Sequence, residues 1–147
     1  MSPLQLDHVP MPESSDSGTV EAALEALKSA HDESTAHEAY DAFLWAIGNN
    51  HAGTFYPVVL GVLPQLEQIL LEGNVWAKRA VMESLIDLGG SFIPEEGHQR
   101  YLGTPVQETL QAFIHSMRRH IAPLAVADGP CANSASDLLE LIDDQSA

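Results

Sequence analysis

The chain has 147 residues, 45% of them apolar, and a net charge of −15 from 21 acidic side chains against six Lys plus Arg. That length suits one domain that buries about two thirds of the surface its unfolded form exposes. The acidic balance works against binding nucleic acid or an anionic membrane and favours encounter with a basic partner. The single cysteine, Cys131, excludes an intramolecular disulfide and fits a reducing, cytoplasmic setting.

Residues 1–18, MSPLQLDHVPMPESSDSG, are rich in Pro, Ser and acids and lack the basic and apolar regions of a signal peptide. They read as a mobile acidic tail ahead of a single domain over 19–147. Six helices follow. Thr19 caps the first, with an apolar stripe of Val20, Ala23, Leu24 and Leu27. Ser34 or Thr35 caps the second, with a stripe of Ala36, Tyr40, Phe43, Leu44 and Ile47, and Gly48 with Asn49 suits its left-handed C-terminal cap. Pro57 opens a third helix that ends at Gly73. Its apolar run is interrupted by Gly61, Pro64, Gln65, Glu67 and Gln68, so it does not read as a membrane span. Asn74 caps a fourth helix, VWAKRAVMESLIDL, which Gly89 and Gly90 terminate. After a loop, SFIPEEGHQRYLG, Thr104 and Pro105 open a fifth helix to about His120. Pro123 and Gly129-Pro130 break the chain, and SASDLLELID forms a last short helix. No segment alternates apolar and polar residues over a sustained run, so the fold class is all-α.

Signatures of catalysis and metal binding are lacking. HEAYD at 37–41 misses the second histidine of HExxH, His31 and His37 are six apart, and His115 and His120 are five apart. None of these spacings puts two imidazoles on one helical face. There is no GxSxG, GxxxxGK[ST] or GxGxxG. Adjacent acids such as Glu95-Glu96 in a Pro/Gly loop are solvated. The expectation is a chain with no catalytic residue, cofactor, metal or small-molecule substrate.

An internal repeat organises the chain. Ala36, Tyr40, Leu44, Ile47 and Gly48 align with Ala77, Val81, Leu85, Leu88 and Gly89 at a constant offset of 41 residues. With one residue of slip, Leu24-Glu25-Ala26-Leu27 falls on Leu66-Glu67-Gln68-Ile69. A helix pair with a period of about 40 residues is the spacing of HEAT-type arrays, whose pairs stack to bury their apolar faces. LPQLEQILLEGNVWAKRAVMESLIDLG resembles a HEAT repeat: Pro64 sits at the family's kink, and Ala77-Lys78 holds the place of the usual Val-Arg. Asn74 departs from the more usual turn Asp. The resemblance implies a short right-handed solenoid of about three antiparallel helix pairs. A narrower resemblance, over FLWAIGNNHAGTFYP and the repeat ending LIDLGGSF, is to small bacterial HEAT-like proteins, some of which are immunity proteins encoded beside secreted toxins.

In HEAT stacks the second helix of each pair lines the concave face, which directs attention to the second and fourth helices. Glu38, Asp41 and Trp45 share a stripe on one; Trp76, Glu83 and Asp87 share a stripe on the other. A tryptophan anchors and flanking acids select a basic partner. Lys78 and Arg79 are expected to pair within the acidic surface. The stretch AIGNNHAGTFYP then reads as a joint between stacked pairs, with His51, Thr54 and Tyr56 hydrogen-bonding the connection. The candidate partner-binding residues are Glu38, Asp41, Trp45, Asn49, His51, Trp76, Glu83, Asp87, Glu95 and Glu96. The resemblance implies a non-catalytic cytoplasmic protein whose acidic face occludes a basic toxin or effector domain. The alternative is a HEAT-like adaptor for a cellular protein.

Overall fold

The structure, a computed structural model, describes Leu6 and residues 8–146. Helix α1 (Ser17–Ser29) starts where the Asp16 carboxylate accepts the backbone N–H and the hydroxyl of Thr19 at 2.8 and 2.9 Å. Helix α2 (Glu33–Ile47) starts at a capping box: Asp32 Oδ1 accepts from the Thr35 N–H at 2.8 Å, and Thr35 Oγ1 accepts from the Asp32 N–H at 3.1 Å. Helix α1 therefore begins at an aspartate three residues ahead of Thr19, and α2 at one two or three residues ahead of Ser34 or Thr35, the residues expected to cap them. A carboxylate accepts more strongly than a hydroxyl, and its charge suits the positive end of the helix dipole.

The third expected helix divides into α3 (Val58–Gly61) and α4 (Leu63–Glu72). Pro64 has no N–H to give the Leu60 carbonyl and its ring crowds that carbonyl, so the chain restarts with proline in a first turn, where no donor is needed. Helix α5 (Val75–Gly90) runs through the two glycines expected to end it and stops at Ser91. The fifth expected helix divides at Met117 into α6 (Val106–Ser116) and α7 (Arg118–Val126). Pro123 lies inside α7 instead of ending a helix; in this short segment it forfeits only the bond to the Arg119 carbonyl. Helix α8 (Ala132–Ser146) closes the described chain.

The chain is mostly helical, as an all-α protein requires, with eight helices and a few two-residue strands among the described residues. Strands β1 (Gly48–Asn49), β2 (Thr54–Phe55) and β3 (Ile93–Pro94) form one sheet in the order β1-β2-β3. The first two pair antiparallel, Gly48 opposite Phe55; β2 and β3 pair parallel, Thr54 opposite Ile93. Pro94 is tolerated because β3 is an edge strand. Strands β4 (Arg100–Tyr101) and β5 (Thr104–Pro105) make a separate hairpin. Strands this short show no alternation of apolar and polar residues, so they left no pattern to read in the sequence.

Helix α5 is central, packing against α2, α4 and α8 as well as α1 and α6. Its Ala77, Val81, Leu85 and Leu88 meet a buried core that includes Phe43, Leu44 and Ile47 of α2, Leu66 of α4 and Leu138 and Ile142 of α8. Ser84, fully buried, returns its hydroxyl to the Ala80 carbonyl at 2.8 Å. Asn74 does two jobs. Its Oδ1 caps α5 by accepting from Trp76 and Ala77 N–H at 2.8 and 3.0 Å, and its Nδ2 donates to the Ala30 carbonyl at 2.9 Å, tying one interhelical turn to the next. Asn74→Ala is expected to lower the unfolding free energy by about 2 kcal/mol and Asn74→Asp, which keeps the cap, by about 1 kcal/mol, as read from urea unfolding.

The described part of the segment expected to be a mobile tail is docked. Leu6 is 2% exposed, Val9 and Met11 pack on the core, and Val58 N–H donates to the Pro10 carbonyl at 3.1 Å. A few apolar side chains spaced through a polar run suffice to seat it beside α3. The remaining residues of that segment, 1–5 and 7, lie outside the described residues.

Candidate functional site

The outer sides of α2 and α5 carry the densest set of the expected residues. Glu38, Asp41 and Trp45 are all exposed on α2, Trp45 by 45%, and their spacing puts them on one stripe. On α5, Glu83 and Asp87 are half-buried one turn apart. Tyr40 joins the two helices: its hydroxyl donates to the Asp87 carboxylate. Burial raises the Tyr40 hydroxyl well above the usual tyrosine value, helped by the bond and charge of Asp87 and by the charges of Glu83 and Asp41. Asp41, Glu83 and Asp87 therefore surround one phenol.

Arg79 is the cation of this stripe. Its Nε donates to Glu83 at 2.9 Å, its Nη2 lies 3.6 Å from Glu33, and its guanidinium sits 5.4 Å over the Trp76 ring. Glu33, Glu38, Asp41, Glu83 and Asp87 thus set five carboxylates against one guanidinium. Arg79 pairs within the acidic surface, as expected, whereas Lys78 forms no ion pair among the described residues. Trp76 is half-buried against the core and covered by Arg79, so Trp45 is the indole with open surface.

Below Trp45, the β1–β2 turn supports the stripe. Asn50 Nδ2 donates to Asp41 at 2.7 Å, Asn49 Oδ1 accepts from the Ala52 N–H at 2.9 Å, and Tyr56 N–H donates to the Ile47 carbonyl at 2.9 Å. The joint is held by the two asparagine side chains and by backbone, rather than by the side chains of His51, Thr54 and Tyr56. His51 is exposed, the Thr54 hydroxyl is buried without a partner, and the Tyr56 ring rests on His98 at 5.0 Å. Gly48 and Asn49 do not form a left-handed cap: Gly48 is extended (φ −169°), and the left-handed residue of this turn is Gly53 (φ 74°).

Glu95 and Glu96 stand elsewhere. Glu95 belongs with Tyr56 and Glu13: burial, then the charges of these two acids, raises the Tyr56 hydroxyl. The ten expected residues therefore separate into an α2–α5 group with its adjoining turn and a loop pair, Glu95-Glu96, of which Glu95 acts on Tyr56. Tyr40, Glu33 and Asn50 were missed as members of the first group. The available signal for Tyr40 was a hydroxyl-bearing ring within an otherwise apolar stripe, directly before Asp41.

Among the described residues, no group of three or more His, Cys, Asp or Glu side chains is placed to hold a metal ion, and no helix is long and apolar enough to cross a membrane. No protein-family model matches the chain, and no match was found among curated proteins or solved structures.

Tyr40→Phe is expected to lower stability by about 1–2 kcal/mol at neutral pH, because Asp87 loses its donor in a half-buried setting. The folded chain holds the Tyr40 proton where the unfolded chain releases it. Tyr40 therefore favours unfolding increasingly as pH rises above about 10, and the variant loses that part of the alkaline slope. Urea unfolding between about pH 7 and pH 11 checks both: the gap between wild type and variant narrows with pH.

Proposed function

We propose that this chain is a non-catalytic, cytoplasmic binding protein of HEAT-like build, an immunity protein that neutralises a toxin effector by covering its basic functional surface. The observation that carries this reading is the exposed Trp45 on a stripe where five carboxylates face one guanidinium. Such a surface offers an aromatic anchor for burial and a negative field that steers and orients a cationic partner. An effector that acts on nucleic acid must itself carry cations to approach phosphate. An acidic stripe competes directly for those cations.

The repeat reading is supported by the order of packing. Helix α1 packs on α2, α4 on α5 and α7 on α8; across the pairs α2, α5 and α8 meet in sequence, as do α1, α4 and α7. We infer two layers of a short solenoid from that order, with the acidic stripe on the layer of second helices.

The test is co-expression with the coding sequence immediately upstream. The expected result is a product toxic alone and harmless with this chain, neutralised stoichiometrically, as a binder acts and a modifying enzyme does not. The complex should weaken steeply from about 50 mM to about 500 mM salt as the charges are screened. An affinity unchanged over that range would refute the electrostatic basis of recognition.

A further inference from the structure

The β4–β5 hairpin has a tip that nothing among the described residues explains. Leu102 and Gly103 form its two-residue turn, both left-handed (φ 50° and 82°). That turn favours Asn-Gly, and a leucine there holds its Cβ against its own carbonyl. Leu102 is also 86% exposed. One residue thus carries two unfavourable features, and no contact within the described chain offsets them. The stem is rigid: Arg100 Nη2 donates to the Gly103 carbonyl at 2.6 Å, Val106 N–H donates to the Gln99 carbonyl at 2.9 Å, and Tyr101 packs on the core. Beyond that brace, Arg100 is exposed and forms no ion pair among the described residues.

The α2 stripe is the complement. Trp45 is a half-exposed aromatic, and Glu38, two turns before it, has neither hydrogen bond nor ion pair among the described residues. One surface pairs an exposed apolar side chain with a free cation; the other pairs an exposed apolar side chain with a free anion. We propose that the hairpin docks on the Trp45 face of a second copy of this chain, Leu102 against the indole and Arg100 against Glu38. A reciprocal two-fold contact would use both tips and both faces at once, whereas a one-sided contact would leave one of each open. Two chains of charge −15 repel at long range, so salt strengthens this association while it weakens binding of a basic partner. The inference uses the same face as the function proposed above but is tested with the purified chain alone, so either can fail without the other.

The experiment is sedimentation equilibrium of the full chain from about 1 μM to about 1 mM, where contacts of small area dissociate, at low and high salt. The expected result is an average mass rising above one chain with concentration, more so at high salt. Leu102→Asn relieves the turn, so it stays folded with equal or higher stability, and it lowers the association constant by about tenfold or more through loss of the buried leucine. Arg100→Glu and Glu38→Arg each weaken association, and the two together in one chain restore it. A wild type that remains one chain throughout overturns the proposal, and leaves Leu102 to a different protein. So does undiminished association of Leu102→Asn, or a charge swap that does not restore it.

Discussion

Gly48→Ala is expected to lower the unfolding free energy by about 3 kcal/mol or more, near the upper end for overpacking, because the atoms it strikes are backbone. A Cβ at Gly48 would lie 2.0 Å from the Thr54 carbonyl oxygen and 2.8 Å from Phe55 Cα. Backbone conformation is not the cause, since φ −169° is extended and open to any residue. The cause is that β2 passes directly beside Gly48 and is itself held between β1 and β3. It cannot retreat without parting from β3, so the substitution must pull β1 away and break the Gly48–Phe55 pairing. Gly89, at the equivalent position of the repeat, makes the comparison. There a Cβ would stand 2.6 Å from Ile114 Cδ1, the end of a flexible side chain that can turn aside. Gly89→Ala is expected to cost no more than about 1–2 kcal/mol. Urea unfolding of the two variants side by side decides it; equal losses would mean that the β1–β2 approach is looser than described.

That pair of glycines also shows what the sequence made legible. The 41-residue offset marked α2 and α5 as equivalents, and the structure packs them against each other. Periodicity of apolar residues revealed the helices because each buries a face. It was silent on the lacing between them, since Gly48–Asn49, Thr54–Phe55 and Ile93–Pro94 are two-residue strands joined by backbone bonds that any side chain would permit. The caps lie two or three residues ahead of Thr19 and of Ser34 or Thr35, because Thr19 and Thr35 act from the first turn, answering Asp16 and Asp32. The Glu38–Asp41–Trp45 stripe was legible as helical spacing. The cover over Trp76 was not, because it depends on Arg79, whose two carboxylate partners come from α5 and α2. Loop acids look alike in sequence, so nothing there separated Glu95, turned toward Tyr56, from the acids of the stripe.

Glu38→Lys with Asp41→Lys is expected to weaken binding of the basic partner by about a hundredfold or more, since like charges brought together across an interface cost several kcal/mol. Each reversal changes the local charge by two, replacing attraction with repulsion beside the Trp45 anchor. Both side chains are exposed, Glu38 has no partner among the described residues, and Asp41 gives up only its bond from Asn50. Stability should therefore stay within about 1 kcal/mol of wild type, so lost binding cannot be blamed on lost folding. The same clean separation is not available on α5. Reversing Asp87 would strand the half-buried Tyr40 hydroxyl, and reversing Glu83 would set a second cation against Arg79. The matched control is Glu95→Lys with Glu96→Lys, which alters net charge equally but lies in the β3–β4 loop; it should change affinity by no more than about threefold at physiological salt, where separated surface charges are screened. If the control pair abolishes binding and the α2 pair does not, the contact surface is the loop end of the molecule, and Trp45 owes its exposure to another cause. If both pairs weaken binding equally and high salt erases the difference from wild type, recognition rests on overall charge with no anchored face. Only loss confined to the α2 pair, with the weakened complex less sensitive to salt than the wild type, assigns recognition to the stripe that Tyr40 and Asn50 hold in place.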